Sequence, residues 1–187
     1  TRGRSRLEAF FMGETAAKVL EYSQVCPVWM VKGSVEKRHV LLAIDNSENS
    51  LRAVDHAGFM LPKTDIKMTI FHSKRNLRRY ISQAVIDEFP EVQKYWRHKA
   101  GEKIAPFMQK AKEMLLAAGF GEDQITIRVV DGSRSAAADI LKEVQNSDTG
   151  TIFLGLHGYS GVTDFMMGSV TRKVLSLAKN TAVCIVP

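Results

Sequence analysis

Glycine, serine and threonine gather in one stretch, Gly155-Leu-His157-Gly158-Tyr159-Ser160-Gly161-Val-Thr-Asp-Phe-Met-Met-Gly168-Ser169-Val170-Thr171. An apolar run, Thr151-Ile-Phe-Leu-Gly155, leads into it, and a helical pattern with Val170, Val174, Leu175 and Ala178 on one face leads out. Strand, glycine loop and helix is the order in which a main chain binds an anion. Glycines at 155 and 158 let the backbone approach a ligand with no Cβ in the way. A helix opening at Gly168-Ser169 offers free N–H groups and the positive end of its dipole. The Ser169 and Thr171 hydroxyls each add a donor. His157 either donates to a phosphate as well or serves only through its backbone. No Lys follows a glycine as in a Walker A loop, and the glycine spacing is not that of the dinucleotide fingerprint. The chemistry on offer is phosphate binding by backbone donors.

A second candidate is Asp45, which closes the apolar run His39-Val-Leu-Leu-Ala43-Ile44. It either faces a ligand or caps the turn after a strand, where Asp is common. His72 ends another apolar run and reads as a packed histidine rather than a base. The five histidines show neither HxH nor HExxH spacing, so no transition-metal site is expected. No Ser-His-Asp arrangement can be placed beside the glycine loop, and neither an HxGH nor an SGGxDS string occurs. No catalytic residue is assigned.

Positioning these residues takes five strands, at 39–44, 66–72, 124–130, 151–155 and 182–186, alternating with helices. Ser47 caps the first helix, in which Leu51, Val54, Ala57 and Leu61 keep helical spacing until Pro62. Residues 75–118 read as helix interrupted at Pro90, with Ile104, Phe107, Ala111 and Leu115 on one face and Gly119 or Gly121 as the C-cap. Helices at 135–146 and 169–179 complete the pattern. Alternation of this kind predicts an α/β fold of parallel, right-handed βαβ units, hence a doubly wound sheet.

The spacing Gly-x2-Gly-x9-Gly-Ser resembles the ATP-binding signature of the universal stress protein family. Three further segments resemble that family in the right order: His39 to Ser50, Met68-Thr-Ile-Phe-His72-Ser73, and Ile125-Thr-Ile-Arg-Val-Val-Asp-Gly132. The resemblance covers residues 38–187. It implies an adenine-nucleotide alpha-hydrolase-like sheet of five parallel strands in the order 3-2-1-4-5. Strands 1 and 4 are then neighbours at the point where the order reverses, which is where ligands sit in such sheets. Asp45 and Gly155 stand at the carboxyl ends of those two strands. The resemblance further implies ATP, with Mg2+, as the ligand. Phosphates would lie over Gly155, His157, Gly158, Tyr159, Ser160 and Gly161 and over Gly168, Ser169, Val170 and Thr171. Adenine would lie near Ala43 and the Ser73 main chain, and Asp45 would face the ribose or a metal-bound water. The family often has proline at the position of Ala43. The metal ligands stay open.

Residues 1–32 repeat the C-terminal end at a shift of 155 positions: Gly3 falls on Gly158, Phe10 on Phe165, Met12-Gly13 on Met167-Gly168, Lys18-Val19-Leu20 on Lys173-Val174-Leu175, and Val28 and Val31 on Val183 and Val186. Such self-similarity is the mark of a structural repeat. Residues 1–33 therefore read as the last helix and strand of a preceding domain, and 38–187 as one complete domain. Glu14 stands where the second copy has Ser169, so the first copy is expected to bind no nucleotide. A helix and one strand cannot bury Phe10, Val19, Leu20, Val28 and Trp29 between themselves. Val28–Val31 is expected to pair antiparallel with Ala182–Val186, within one chain or between two.

The 187 residues carry a formal net charge of +6. Much of the excess lies between Lys74 and Lys110, and it reads as a solvated helix face with Tyr95 and Trp96 partly covering the core. No zinc-finger or RNP-type spacing points to nucleic acid. No apolar run is long enough to span a membrane, and the start does not look like a cleaved signal. Cys26 and Cys184 both lie in apolar runs and are expected to be buried, reduced thiols of a cytoplasmic protein. The leading expectation is a regulatory ATP-binding protein acting through dimer or pseudo-dimer surfaces, rather than an enzyme. An interaction module of the same fold without nucleotide and a slow ATPase are the alternatives.

Overall fold

The computed structural model describes residues 14–23, 25–61, 65–74, 82–133, 135–158 and 167–187. In chain order the elements are α1 Glu14–Tyr22, β1 Val28–Lys32, β2 His39–Ala43, α2 Glu48–Met60, β3 Lys67–Lys74, α3 Gln83–Glu88, α4 Pro90–Ala117, β4 Ile125–Asp131, α5 Ala136–Asn146, β5 Thr149–Gly155, α6 Ser169–Leu177 and β6 Thr181–Val186. They form one mostly parallel sheet in the order β1-β6-β5-β2-β3-β4. Counted from β2, the five parallel strands stand in the order 3-2-1-4-5, as the family resemblance implies. The sheet has six strands rather than five, because β1 adds an antiparallel edge.

Each face of the sheet has its own core. On one, α2 and α4 cover Val40, Leu42, Met68, Ile70, Phe153 and Cys184 with Leu51, Val54, Ala57, Ile104, Met108, Ala111 and Leu115. On the other, α5, α6 and Leu20 of α1 cover Leu41, Phe71, Ile152, Leu154, Val183 and Ile185. The central strands are apolar at consecutive positions because both faces are covered; every residue of β6 is buried.

The helical segment is interrupted at Pro90 as the sequence predicts: α3 ends at Glu88, Phe89 leaves the helical conformation, and Pro90 opens α4 in its first turn, where a missing N–H costs nothing. Pro106 lies inside α4, a position the sequence pattern did not flag. The helix ends where Gly119 takes φ 100° and Phe120 N–H donates to Leu115 O at 3.1 Å.

β1 runs beside β6 with Val28 opposite Ile185 and Val31 opposite Ala182, within the same chain. From β1 to β2 is three strand positions, about 14 Å. The six residues 33–38 cover that gap easily at about 3.4 Å each. The Trp29 ring reaches across Cys184 to meet Phe153 edge-on, with ring centroids 5.2 Å apart. Lys32 Nζ donates to Leu175 O in the last turn of α6 at 2.5 Å, and partial burial there lowers its pKa. Leu20 is buried as expected, but Val19 is 51% exposed because it points off the helix face that meets the sheet. Phe10 and the rest of residues 1–13 lie outside the described residues. Cys184 is buried, with its thiol pushed up to about 12 by desolvation, whereas Cys26 is exposed in the turn before β1. The expectation of two buried thiols therefore fails for Cys26. Among the described residues no helix is long and apolar enough to cross a membrane.

Candidate functional site

In a doubly wound sheet the helices that follow the strands point their N-termini at the strands' carboxyl ends. Three such starts converge here, and the sequence satisfies them differently. The start of α2 is capped: Ser50 N–H donates to Ser47 Oγ at 3.2 Å. Asp45 Oδ1 in turn accepts from Ser47 N–H at 3.0 Å and from the Ser47 hydroxyl. The start of α5 has no side-chain cap either, but a carboxylate already stands in its first turn: Asp139, whose Oδ2 accepts from Ser133 N–H at 3.0 Å and Ser73 Oγ at 2.6 Å. The start of α6 has no side-chain cap and no acidic residue in its first turn. Its first intrahelical bond is Arg172 N–H to Gly168 O, which leaves the amides of Ser169, Val170 and Thr171 as donors without carbonyl partners inside the helix. That uncapped start is a ready site for an anion.

The loop before α6 is tied down from below. Leu156 N–H donates to Val186 O at 2.7 Å, Gly168 N–H to Leu156 O at 2.8 Å, and Thr171 Oγ1 to Gly155 O at 2.9 Å. Thr171 is buried, so its hydroxyl binds the loop to the helix; it is not a spare donor for phosphate, which corrects the role assigned from sequence. Gly155 is corrected too. A Cβ there would stand 2.9 Å from the Asn49 carbonyl carbon, so the missing side chain makes room for α2, not for a ligand. At Gly158 the added Cβ would meet Asp45 Oδ2 at 2.7 Å.

Above these ends lies a cavity of about 620 Å³, a size that suits a small organic ligand. Ala43, Asp45, Ser73, Gly155, His157, Gly158, Gly168, Ser169, Val170 and Thr171 all line it. Ten of the residues picked from sequence are thus brought to one wall system. Tyr159, Ser160 and Gly161 lie outside the described residues. The two readings of Asp45 are compatible, since it caps the turn and lines the cavity. His72 also lines it; its Nδ1 donates to Ile44 O at 2.7 Å, and burial lowers its pKa, against the opposing pull of that bond and of Asp45. It stands there as a neutral ring. Ser73 Oγ is spent on Asp139, which leaves its main chain facing the space.

Sequence reasoning missed one wall. Trp96, Lys99, Ala100 and Lys103 of α4 line the cavity. Tyr95 is solvated, at 63% exposure, and Trp96 and the lysines are exposed too, but these three also border the cavity. Their spacing of i, i+3, i+4 and i+7 was the available signal. Among the described residues no group of three or more His, Cys, Asp or Glu could hold a metal ion. Asp45 is the one carboxylate among the cavity-lining residues, so an ion bound here would take its other ligands from phosphate oxygens and water, as Mg2+ does.

Known proteins share this fold. Universal stress protein YxiE of Bacillus subtilis (strain 168) is 27% identical over 148 residues, covering 74% of this chain and 92% of that protein. A universal stress protein crystallised in complex with cAMP superimposes with a TM-score of 0.56 at 22% identity, over 81% of this chain and 97% of that one. The universal stress protein of Archaeoglobus fulgidus in complex with dAMP gives a TM-score of 0.52 at 17% identity, over 82% and 99%. The model of the universal stress protein family matches residues 37–187. The chain belongs to the universal stress protein family.

Proposed function

We propose that this protein binds one adenine nucleotide per chain, ATP with Mg2+, in the cavity between the ends of β2 and β5. It acts as a cytoplasmic regulatory protein whose occupancy is read at its surface. The observation that carries this reading is the start of α6, which has neither a side-chain cap nor a carboxylate in its first turn, over a cavity where Ser47 caps α2 and Asp139 occupies the first turn of α5. Two relatives hold cAMP and dAMP, and those ligands share an adenine base and a single phosphate. Ala43 and the Ser73 main chain offer the base a flat, partly apolar end, and Gly158, Gly168, Ser169 and Val170 offer the phosphate backbone donors. Asp45 serves the ribose or the metal. Among the described residues no arginine lines the cavity to stabilise a transferring phosphate, which supports slow or absent turnover.

The repeat at 155 positions and the seat of β1 beside β6 support reading α1 and β1 as the last helix and strand of a second domain copy, joined as a pseudo-dimer. Nucleotide released from the purified, heat-denatured protein, identified by ion-pair chromatography and paired with calorimetry, tests the reading. One ATP per chain is expected. Absence of any adenine nucleotide and no heat on titration would overturn it.

A further inference from the structure

α4 is longer than the sheet it packs on. Its 28 residues extend about 42 Å at 1.5 Å per residue, against roughly 25 Å for a seven- or eight-residue strand. Only the second half is anchored: Ile104, Met108, Ala111 and Leu115 are buried, while no described side chain from Pro90 to Lys103 is. The first half therefore overhangs the carboxyl ends of the strands. Its rotation is fixed by those four buried residues, and on the same helix Lys110 Nζ lies 4.0 Å from Glu48 at the start of α2. Lys103, one heptad earlier, shares that face and is turned toward the β2–α2 turn that carries Asp45 and Asn46. Trp96, Lys99 and Ala100 complete the same stripe, and all four residues line the cavity.

The charges on this wall are unbalanced. Lys99 is paired, donating to Glu102 at 2.8 Å, and Glu102 lies outside the cavity lining. Lys103 has no ion pair among the described residues. Facing them are Asp45, engaged by Ser47, the neutral His72, and His157. Adenine and ribose carry no charge to answer the Lys103 ammonium, and the short start of α6 accommodates about one phosphate. A phosphate chain running on from α6 would meet the lysines of α4.

Taking the adenine-nucleotide reading as its basis, we propose that Trp96, Lys99 and Lys103 form a specificity wall that selects a nucleoside triphosphate over a monophosphate. Lys103 and Lys99 contact the outer phosphates, and Trp96 closes the cavity beside the ligand.

The test uses Trp29→Phe, which leaves Trp96 as the sole tryptophan of the two in the chain. AMP, ADP and ATP are titrated by calorimetry and by Trp96 fluorescence, in this parent and in Lys103→Gln, Lys99→Gln, the double variant and Lys103→Arg. ATP should bind tighter than AMP, and every nucleotide should quench Trp96. Lys103→Gln should lower the ATP/AMP affinity ratio about five- to tenfold, the discount reflecting an exposed charge. AMP affinity should hold, and Lys103→Arg should keep the ratio. Both lysines are exposed, so folding is not at stake. An unchanged ratio in the double variant, or no Trp96 response to bound ATP, would sink the wall alone. A parent that binds none of the three would sink the nucleotide reading and the wall with it.

Discussion

Gly158 and Asp45 are fitted to one another: a Cβ on Gly158 would stand 2.7 Å from Asp45 Oδ2, closer than real Cβ atoms come. The glycine loop and the end of β2 thus share one space, and a side chain at 158 must displace the carboxylate that also orders the β2–α2 turn. Gly158→Val should weaken ATP binding at least tenfold, and Gly168→Val should also weaken it, since a Cβ there already sits 3.3 Å from Leu156 O. Ser169→Ala removes about one hydrogen bond, roughly 0.5–1.5 kcal/mol, and should cost less than either, with Asp45→Ala between. A double-mutant cycle isolates the contact: Gly158→Ala should cost less in an Asp45→Ala background. Strict additivity would mean the two residues do not share the space.

Gly155 behaves differently because its missing Cβ faces the Asn49 backbone at the start of α2. Backbone cannot swing away as a side chain can. Gly155→Ala should therefore lower stability by about 1–3 kcal/mol, the usual cost of overpacking, visible as a lower thermal midpoint. A stable variant with weakened nucleotide affinity would instead return Gly155 to the ligand-facing role read from sequence.

These two glycines mark what a sequence can disclose about such a site. The meeting of Asp45 with the 155–171 loop was legible, because strand alternation and the implied strand order place both at adjacent carboxyl ends. The direction of each glycine's absent Cβ was not, since it depends on which element packs behind it. The Thr171 hydroxyl was misread for the same reason: it lies close enough to Gly155 O to be used internally. The α4 wall escaped because periodic apolar residues reveal only the packed half of a helix. Ile104 to Leu115 announced themselves; Trp96, Lys99 and Lys103 share a helical stripe, but only the packing of the buried half of α4 shows that this stripe borders the cavity. The pairing of β1 with β6 was legible from the repeat itself.

The two thiols should separate cleanly by reactivity. Cys26 is exposed and Cys184 is buried with its pKa near 12, so at pH 8 a thiol reagent should modify one thiol of the native protein promptly and the second only on unfolding. Protection of Cys184 should persist at pH 10. The raised pKa also has a consequence for stability. The folded state holds this proton above the pH at which the unfolded thiol, with a model value of 9.0, releases it. Stability contributed by Cys184 is therefore present below pH 9 and declines between about 9 and 12. Cys184→Ala should flatten that decline in urea unfolding midpoints.

Arg128 of β4 pairs with Glu143 of α5, Nε to Oε2 at 2.7 Å, and the glutamate side chain is 8% exposed while the arginine is half exposed. Arg128→Ala leaves a buried carboxylate short of its partner and should cost about 1–3 kcal/mol. Glu143→Gln in the same background should recover part of the loss, since an amide is cheaper to bury than a charge. Chemical denaturation of the four proteins of the cycle measures both effects, and no recovery in the double variant would show that the charge is not the source of the cost.

The attachment of β1 depends on reach. Residues 33–38 cross three strand spacings, about 14 Å, to join β1 on β6 with β2 inside the sheet. Deleting 34–37 leaves two linker residues and three Cα-to-Cα steps between Lys32 and His39, whose span of roughly 11 Å falls short of that gap. The shortened chain cannot keep β1 on its own β6 without fraying the ladder from Val28–Ile185 to Lys32–Thr181, the Trp29–Phe153 contact and the Lys32 bond to Leu175 O. The same contacts can be made by a neighbouring molecule at no further cost in chain strain, because exchange of an identical element preserves each of them. Deletion of 34–37 should therefore convert the protein to an exchanged dimer, seen as a doubling of mass in light scattering relative to the parent, with Trp29 emission unchanged. A shortened chain of unchanged mass with red-shifted Trp29 emission would mean that β1 is released rather than exchanged, and that its hold on β6 is weaker than its contacts imply.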